Sequence, residues 1–245
     1  VKPAGRAQAG QQPVKSMAVF EAPPVPGCWE GRELIRIVDP LGLQVAWVSP
    51  ALAGGIVGYY ARASSNDGWT EVLACAAPGD SHPGWQSGSE LLLRDEHSQT
   101  MVPAWGSDAT WSFESRDPTQ TTVHGTIGDH ALKVSLSCID GELQIVIEPG
   151  DASTQLTSAG LRLHVGHDAG TLDRDDARNQ QLVFRNGALS SLAYTHSPGI
   201  ACQAGTSAGG GECQVDFVPR AGSQAPGPAT PIIVTLCPVP AGPAG

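Results

Sequence analysis

Between Trp105 and Glu148 the chain alternates apolar and polar residues in successive runs, and no other feature of the sequence restricts the backbone as much. In TWSFES, Trp111 and Phe113 alternate with polar neighbours; in HALKVSLSC the apolar set is Leu132, Val134, Leu136 and Cys138. ELQIVIEP repeats the pattern with Leu143, Ile145 and Ile147. Successive side chains of a strand point to opposite faces, so each run buries one face and wets the other. Asp140-Gly141 separates the last two runs, a pair that tolerates the positive φ angles of a tight hairpin turn. The stretch therefore reads as three or four antiparallel strands.

The flanking sequence extends the pattern. ELIRIVDPLGLQVAWVSP gives a strand from Leu34 to Val38, a turn at Asp39-Pro40 and a strand from Leu43 to Val48. Gly54-Gly55 breaks the next run before a strand from Ile56 to Tyr60. WTEVLACAAPGD and a Gly/Ser/Pro-rich loop follow, and residues 91–104 fit either a short helix or a strand. LRLHV alternates Leu161, Leu163 and Val165; QLVFRNGALSSLAYTH reads as two strands around Asn186-Gly187; CQVDFVPR and IIVTLC supply the last two. The total is about eleven to fourteen strands with no amphipathic helix. Thirty Gly and 20 Pro favour many turns over long helices. The fold expected is all-β, a large antiparallel β-sandwich, because two packed sheets bury that many half-apolar strands.

Residues 1–27 hold five prolines and little apolar periodicity and read as an N-terminal arm; 28–238 form the sandwich domain, and 239–245 a C-terminal tail. The net charge of −10 argues against nucleic acid as a partner, since phosphate is held by Lys and Arg. No run of 18 apolar residues is present, so no membrane-spanning helix is expected. Of the six cysteines none shows the paired spacing of a zinc knuckle. Cys202 and Cys213 flank a Gly-rich loop and are candidates for a disulfide, which would suit a periplasmic or extracellular setting; a cytoplasmic one is the alternative. Cys138 falls in phase with an apolar face and reads as a buried hydrophobe.

Several constellations could carry chemistry. His164, His167 and Asp168 form H-x2-H-D, a divalent-metal candidate only if the chain turns at Gly166 to bring them together; surface or buried histidines are the plainer reading. Glu90, with Asp95, Glu96 and His97, could supply an acid–base pair or simply an exposed charged segment. Trp69, Trp85 and His82 lie on loops, where aromatic faces stack on sugars or fold back over a sandwich end. No phosphate-binding, dinucleotide-binding or serine-hydrolase signature occurs, and no cofactor is expected.

Three segments resemble the galactose mutarotase-like β-supersandwich, the fold of aldose epimerases. Val48, Pro50, Gly54, Gly55 and Ile56 match a strand, a Pro and a Gly-Gly pair that lead into another strand. In VPAWGSDATWSFE, Trp105-Gly106 stands at the family's His-Gly position, and Trp111 matches a Trp that opens a strand. GLRLHVGHDAGTL falls where the family carries a His-Pro-Tyr-Phe-like loop, with His164 or His167 at its histidine. The resemblance spans roughly residues 32–170 and implies His164 or His167 as a catalytic histidine; with Glu90 of the charged segment they are the catalytic candidates. It also departs from the family: Trp105 cannot transfer a proton, and the aromatic pair after the second histidine is missing. The resemblance thus implies a non-catalytic carbohydrate-binding domain, with Trp69, Trp85, Trp105 and His82 as sugar contacts. The alternatives are an accessory subunit that joins a protein assembly through its terminal arms, and an active epimerase or lyase.

Overall fold

The computed structural model describes residues 33–74, 88–94, 101–103, 110–127, 130–151, 159–166, 169–173, 181–186, 189–206, 213–220 and 231–240. In chain order the strands are β1 (Ile35–Val38), β2 (Gln44–Ser49), β3 (Gly55–Ala61), β4 (Thr70–Leu73), β5 (Ser89–Arg94) and β6 (Met101–Pro103). Then come β7 (Thr110–Arg116), β8 (Gln120–Ile127), β9 (His130–Ile139), β10 (Glu142–Pro149), β11 (Ala159–His164) and β12 (Ala169–Asp173). The series closes with β13 (Gln181–Asn186), β14 (Leu189–Thr195), β15 (Ile200–Thr206), β16 (Cys213–Pro219) and β17 (Ile232–Pro240). A single 3-10 turn at Pro50–Leu52 is the one helical element among the described residues. The chain is all-β, as its alternation requires, with more strands than the pattern alone suggests. Residues 91–104 contribute strands β5 and β6 rather than a helix, and the last strand runs two residues into the expected tail. The N-terminal arm lies outside the described residues.

The central meander sets the larger sheet. Strands β7 to β10 pair in succession, and the eight-stranded sheet has the order β12-β13-β14-β17-β10-β9-β8-β7. Asp140 and Gly141 turn the β9–β10 hairpin with φ of 55° and 80°, so Ile139 pairs with Glu142 and Cys138 with Leu143. That register puts Leu132, Val134, Leu136, Cys138, Leu143, Ile145 and Ile147 on one buried face. Across the core lie a four-stranded sheet, β1-β2-β3-β4, and a five-stranded sheet, β15-β16-β11-β5-β6. Residues from all three sheets meet in one apolar cluster, the packing of a β-sandwich.

The corner between β2 and β3 shows why its glycines are needed. After the 3-10 turn, Ala53 and Gly54 both take positive φ. A Cβ on Gly54 would stand 3.3 Å from the Cβ atoms of Val123 and Val134, so the corner lies directly on β8 and β9. Strand β3 then runs through the interior with every residue buried. Tyr59 Oη donates to Gln44 Oε1 at 2.7 Å, and Gln44 Nε2 donates to Gly141 O at 2.5 Å, which ties the four-stranded sheet to the β9–β10 turn.

The expected Cys202–Cys213 disulfide is not formed, and Cys202 is a free thiol. The Gly-rich segment links two paired strands, and their register places Cys202 opposite Phe217 and Cys213 opposite Thr206. Four residues of strand separate the two positions, about 13 Å at the usual rise. A disulfide requires Cα atoms within about 7 Å.

Candidate functional site

The two smaller sheets join where β4 meets the end of β11. Leu73 of β4 forms an isolated antiparallel bridge with Val165, just past the end of β11. Ala74 N donates to His164 O at 3.1 Å, and Gly166 N donates to Val72 O at 3.0 Å. On the other side His164 N donates to Gly88 O at 2.8 Å. The backbone of His164 is thus held between β4 and the start of β5. Gly88 must be small here, because a Cβ would meet Leu73 Cβ at 2.9 Å and the carbonyl oxygens of Ala74 and Ile56 at 3.2 Å. Beside it, Ser89 Oγ accepts from Ile56 N at 2.9 Å and anchors β3 to β5.

Alternation then decides which side chains share a face. On β11, Leu161 and Leu163 point into the core, which sends Arg162 and His164 to the opposite face. Pairing sets Arg162 opposite Glu90 of β5 and Asp216 of β16, and His164 opposite Gln214. Glu90, Arg162, His164, Gln214 and Asp216 therefore form one polar face, continued by Gln203 of β15 opposite Asp216.

Two side-chain pairs organise that face, one hydrogen-bonded and one an ion pair. His164 Nε2 lies 3.0 Å from Glu90 Oε2, and the two side chains are 4% and 0% exposed. Arg162 grips Asp216 with both ends of its fork, Nε to Oδ1 and Nη2 to Oδ2 at 2.8 Å each. The hydrogen bonds that Arg162 donates to Asp216, with the charges of Asp216 and Glu90, push its guanidinium above its ordinary range. Asp216 and Arg162 are partly exposed, and Gln203 is exposed, so this side of the face meets solvent.

The sequence candidates distribute unevenly over this geometry. His164 and Glu90, separate candidates in the sequence, are hydrogen-bonded neighbours. Trp69 sits five residues before Ala74, at the far end of β4, about 16 Å along an extended chain from the His164 junction. One face of its ring is covered by the Arg62 guanidinium, 4.5 Å from the centroid. His82, Trp85, Trp105, His167 and Asp168 lie outside the described residues. Among the described residues no three His, Cys, Asp or Glu side chains gather as a metal site, and none of the helical structure is long and apolar enough to cross a membrane. Sequence alone does not pair Arg162 with Asp216. The signal was present in the polar positions of LRLHV and CQVDFVPR.

No family model matches the chain, and no curated protein matches it by sequence. Solved structures do match by fold. A "Putative aldose 1-epimerase" from Escherichia coli K12 superimposes with a TM-score of 0.53 over 85% of this chain and 99% of its own, at 10% identity. The protein HI1317 superimposes with a TM-score of 0.50 over 84% and 91%, at 9% identity. The chain has the galactose mutarotase-like β-sandwich fold, as its three short motifs imply. At such identity the likeness defines architecture, and function must be argued from the site.

Proposed function

We propose that this domain binds carbohydrate without catalysing a reaction on it, through the solvent-facing part of the polar face formed by β5, β11, β16 and β15. One observation carries the reading. The imidazole and carboxylate at the catalytic candidates are bonded to each other and shielded from solvent, at 4% and 0% exposure. A general acid or base must come within hydrogen-bond reach of the proton it moves. Glu90 touches no solvent, and His164 Nε2 is committed to it, so the pair fixes the junction of β4, β5 and β11. Beside it, the Arg162–Asp216 fork and the amides of Gln203 and Gln214 offer the donors and acceptors that sugar hydroxyls require. The fold likeness to a protein named for aldose 1-epimerase activity supports sugar as the ligand class.

Two assays on the full chain test this. A glycan array, followed by calorimetric titration of any hit, should detect binding that weakens at least about tenfold in Arg162→Ala, since losing a charged hydrogen-bond donor is worth about that much. Absence of binding to any glycan would remove the carbohydrate reading and favour the accessory-subunit one.

A further inference from the structure

The outer face of the eight-stranded sheet holds a cleft of about 440 Å3 framed by β7, β8 and β9. That volume lies within the range of small-ligand sites, about 300–1,000 Å3. Register builds its wall. Trp111, Phe113, Val123 and Val134 lie against the core, so Ser112, His124 and Lys133 form a cross-strand row on the opposite face, with Thr126 beside them. At Gly125 the Trp111 indole and Thr110 O stand within 2.6 Å of where a Cβ would be, so the strands close tightly beneath the cleft. Two contacts hold the row in place. Ser112 Oγ lies 2.9 Å from His124 Nε2, and Lys133 Nζ lies 2.9 Å from Glu114 Oε2.

We infer that this cleft is a second binding site, for a neutral, hydroxyl-rich ligand of the saccharide class. The charges decide between ligand classes. Glu114 and Lys133 neutralise one another, so an incoming anion meets the carboxylate and an incoming cation meets the ammonium. A sugar hydroxyl both donates and accepts, and it can bridge a carboxylate and an ammonium held a hydrogen bond apart. Thr126 and Ser112 add hydroxyls of the same dual character, and the strands present all of them on a rigid frame. The cleft belongs to a different sheet from the Glu90–His164 face, and this inference does not rest on the reading proposed for that face.

The test is a titration of the isotope-labelled full chain with maltohexaose, cellohexaose and xylohexaose, followed by amide NMR shifts. At least one should shift the Ser112, His124, Thr126 and Lys133 amides. Binding read at those amides should disappear in Thr126→Trp, which fills the cleft from an exposed strand position suited to an aromatic residue. It should weaken about tenfold in the paired Glu114→Gln and Lys133→Met variant and persist in Gln214→Ala on the other sheet. Shifts confined to the five-stranded sheet would overturn the inference while leaving the first site standing. So would silence towards all three hexasaccharides at millimolar concentration, binding indifferent to both cleft variants, or an equal response of the same amides to citrate.

Discussion

His164 and Glu90 stand 74 residues apart in sequence and 3.0 Å apart in the fold, joined Nε2 to Oε2 beneath the surface. Neighbouring strands bring them together. Glu90 pairs across β5 and β11 with Arg162, and His164 is the next residue of β11 on the same face. Their backbones are held as firmly as their side chains, with β4 on one side of His164 and Gly88 on the other.

Removing one member of such a pair takes a buried hydrogen bond from the other. Glu90→Ala is expected to lower the unfolding free energy by about 1–3 kcal/mol. Glu90→Gln should lose less, because an amide can still hydrogen-bond to the ring. Urea denaturation of both variants, with His164→Ala and the double variant, checks this. Additive losses in the double variant would show that the two side chains are not coupled.

Gly88→Ala should destabilise the same junction without touching either side chain of the pair. Its Cβ would stand 2.9 Å from Leu73 Cβ, an atom that cannot swing away, so β4 must move from β5. Overpacking of this kind costs about 1–3 kcal/mol. Thermal unfolding measures the loss, and amide exchange should localise it to Ala74 and His164.

The β9–β10 hairpin was legible because two conditions agreed, period-two alternation and an Asp-Gly turn. Strand β5 was not, because Leu91 and Leu92 are both buried and face opposite ways, which erases the alternation. The Gly-rich segment after Cys202 resembled a loop needing closure, whereas β15 and β16 already hold it through paired backbone. His164 and Glu90 were each visible as chemistry-bearing residues. Their contact depends on the β5–β11 register, which is fixed only when distant strands find their places in the sheet.

The thiols give a check that depends on pH. Burial pushes Cys138 and Cys202 up to about 12 from an ordinary value of 9.0. A group whose folded value is raised stabilises fully below its unfolded value and loses that contribution as pH rises towards the folded one. Stability should therefore fall between pH 9 and 12, and both thiols should resist alkylation at pH 8 until the chain is denatured. Counting thiols on the denatured, unreduced protein should include Cys202. Its absence, with that of Cys213, would restore the disulfide.

Glu114 behaves in the opposite sense. The hydrogen bond from Lys133, with the Lys133 and His124 charges, holds its carboxyl below the ordinary 4.5. A lowered folded value means that the contribution is present above the ordinary carboxylate range and is lost as pH falls through the folded value. The group is exposed, so the expected signal is local. Carboxyl NMR should place Glu114 below the ordinary value, and Lys133→Met should move it upward. No movement would mean that the ion pair does not persist in solution.

On the function proposed here the Glu90–His164 pair is structural and the domain acts on no sugar. Polarimetry of freshly dissolved α-D-galactose and α-D-glucose, with and without the protein, tests this most directly. Identical rates of anomer interconversion are expected in both conditions. A rate clearly above the buffer control, lost in His164→Ala and in Glu90→Gln, would contradict it and make the buried pair an acid–base machine that opens to substrate.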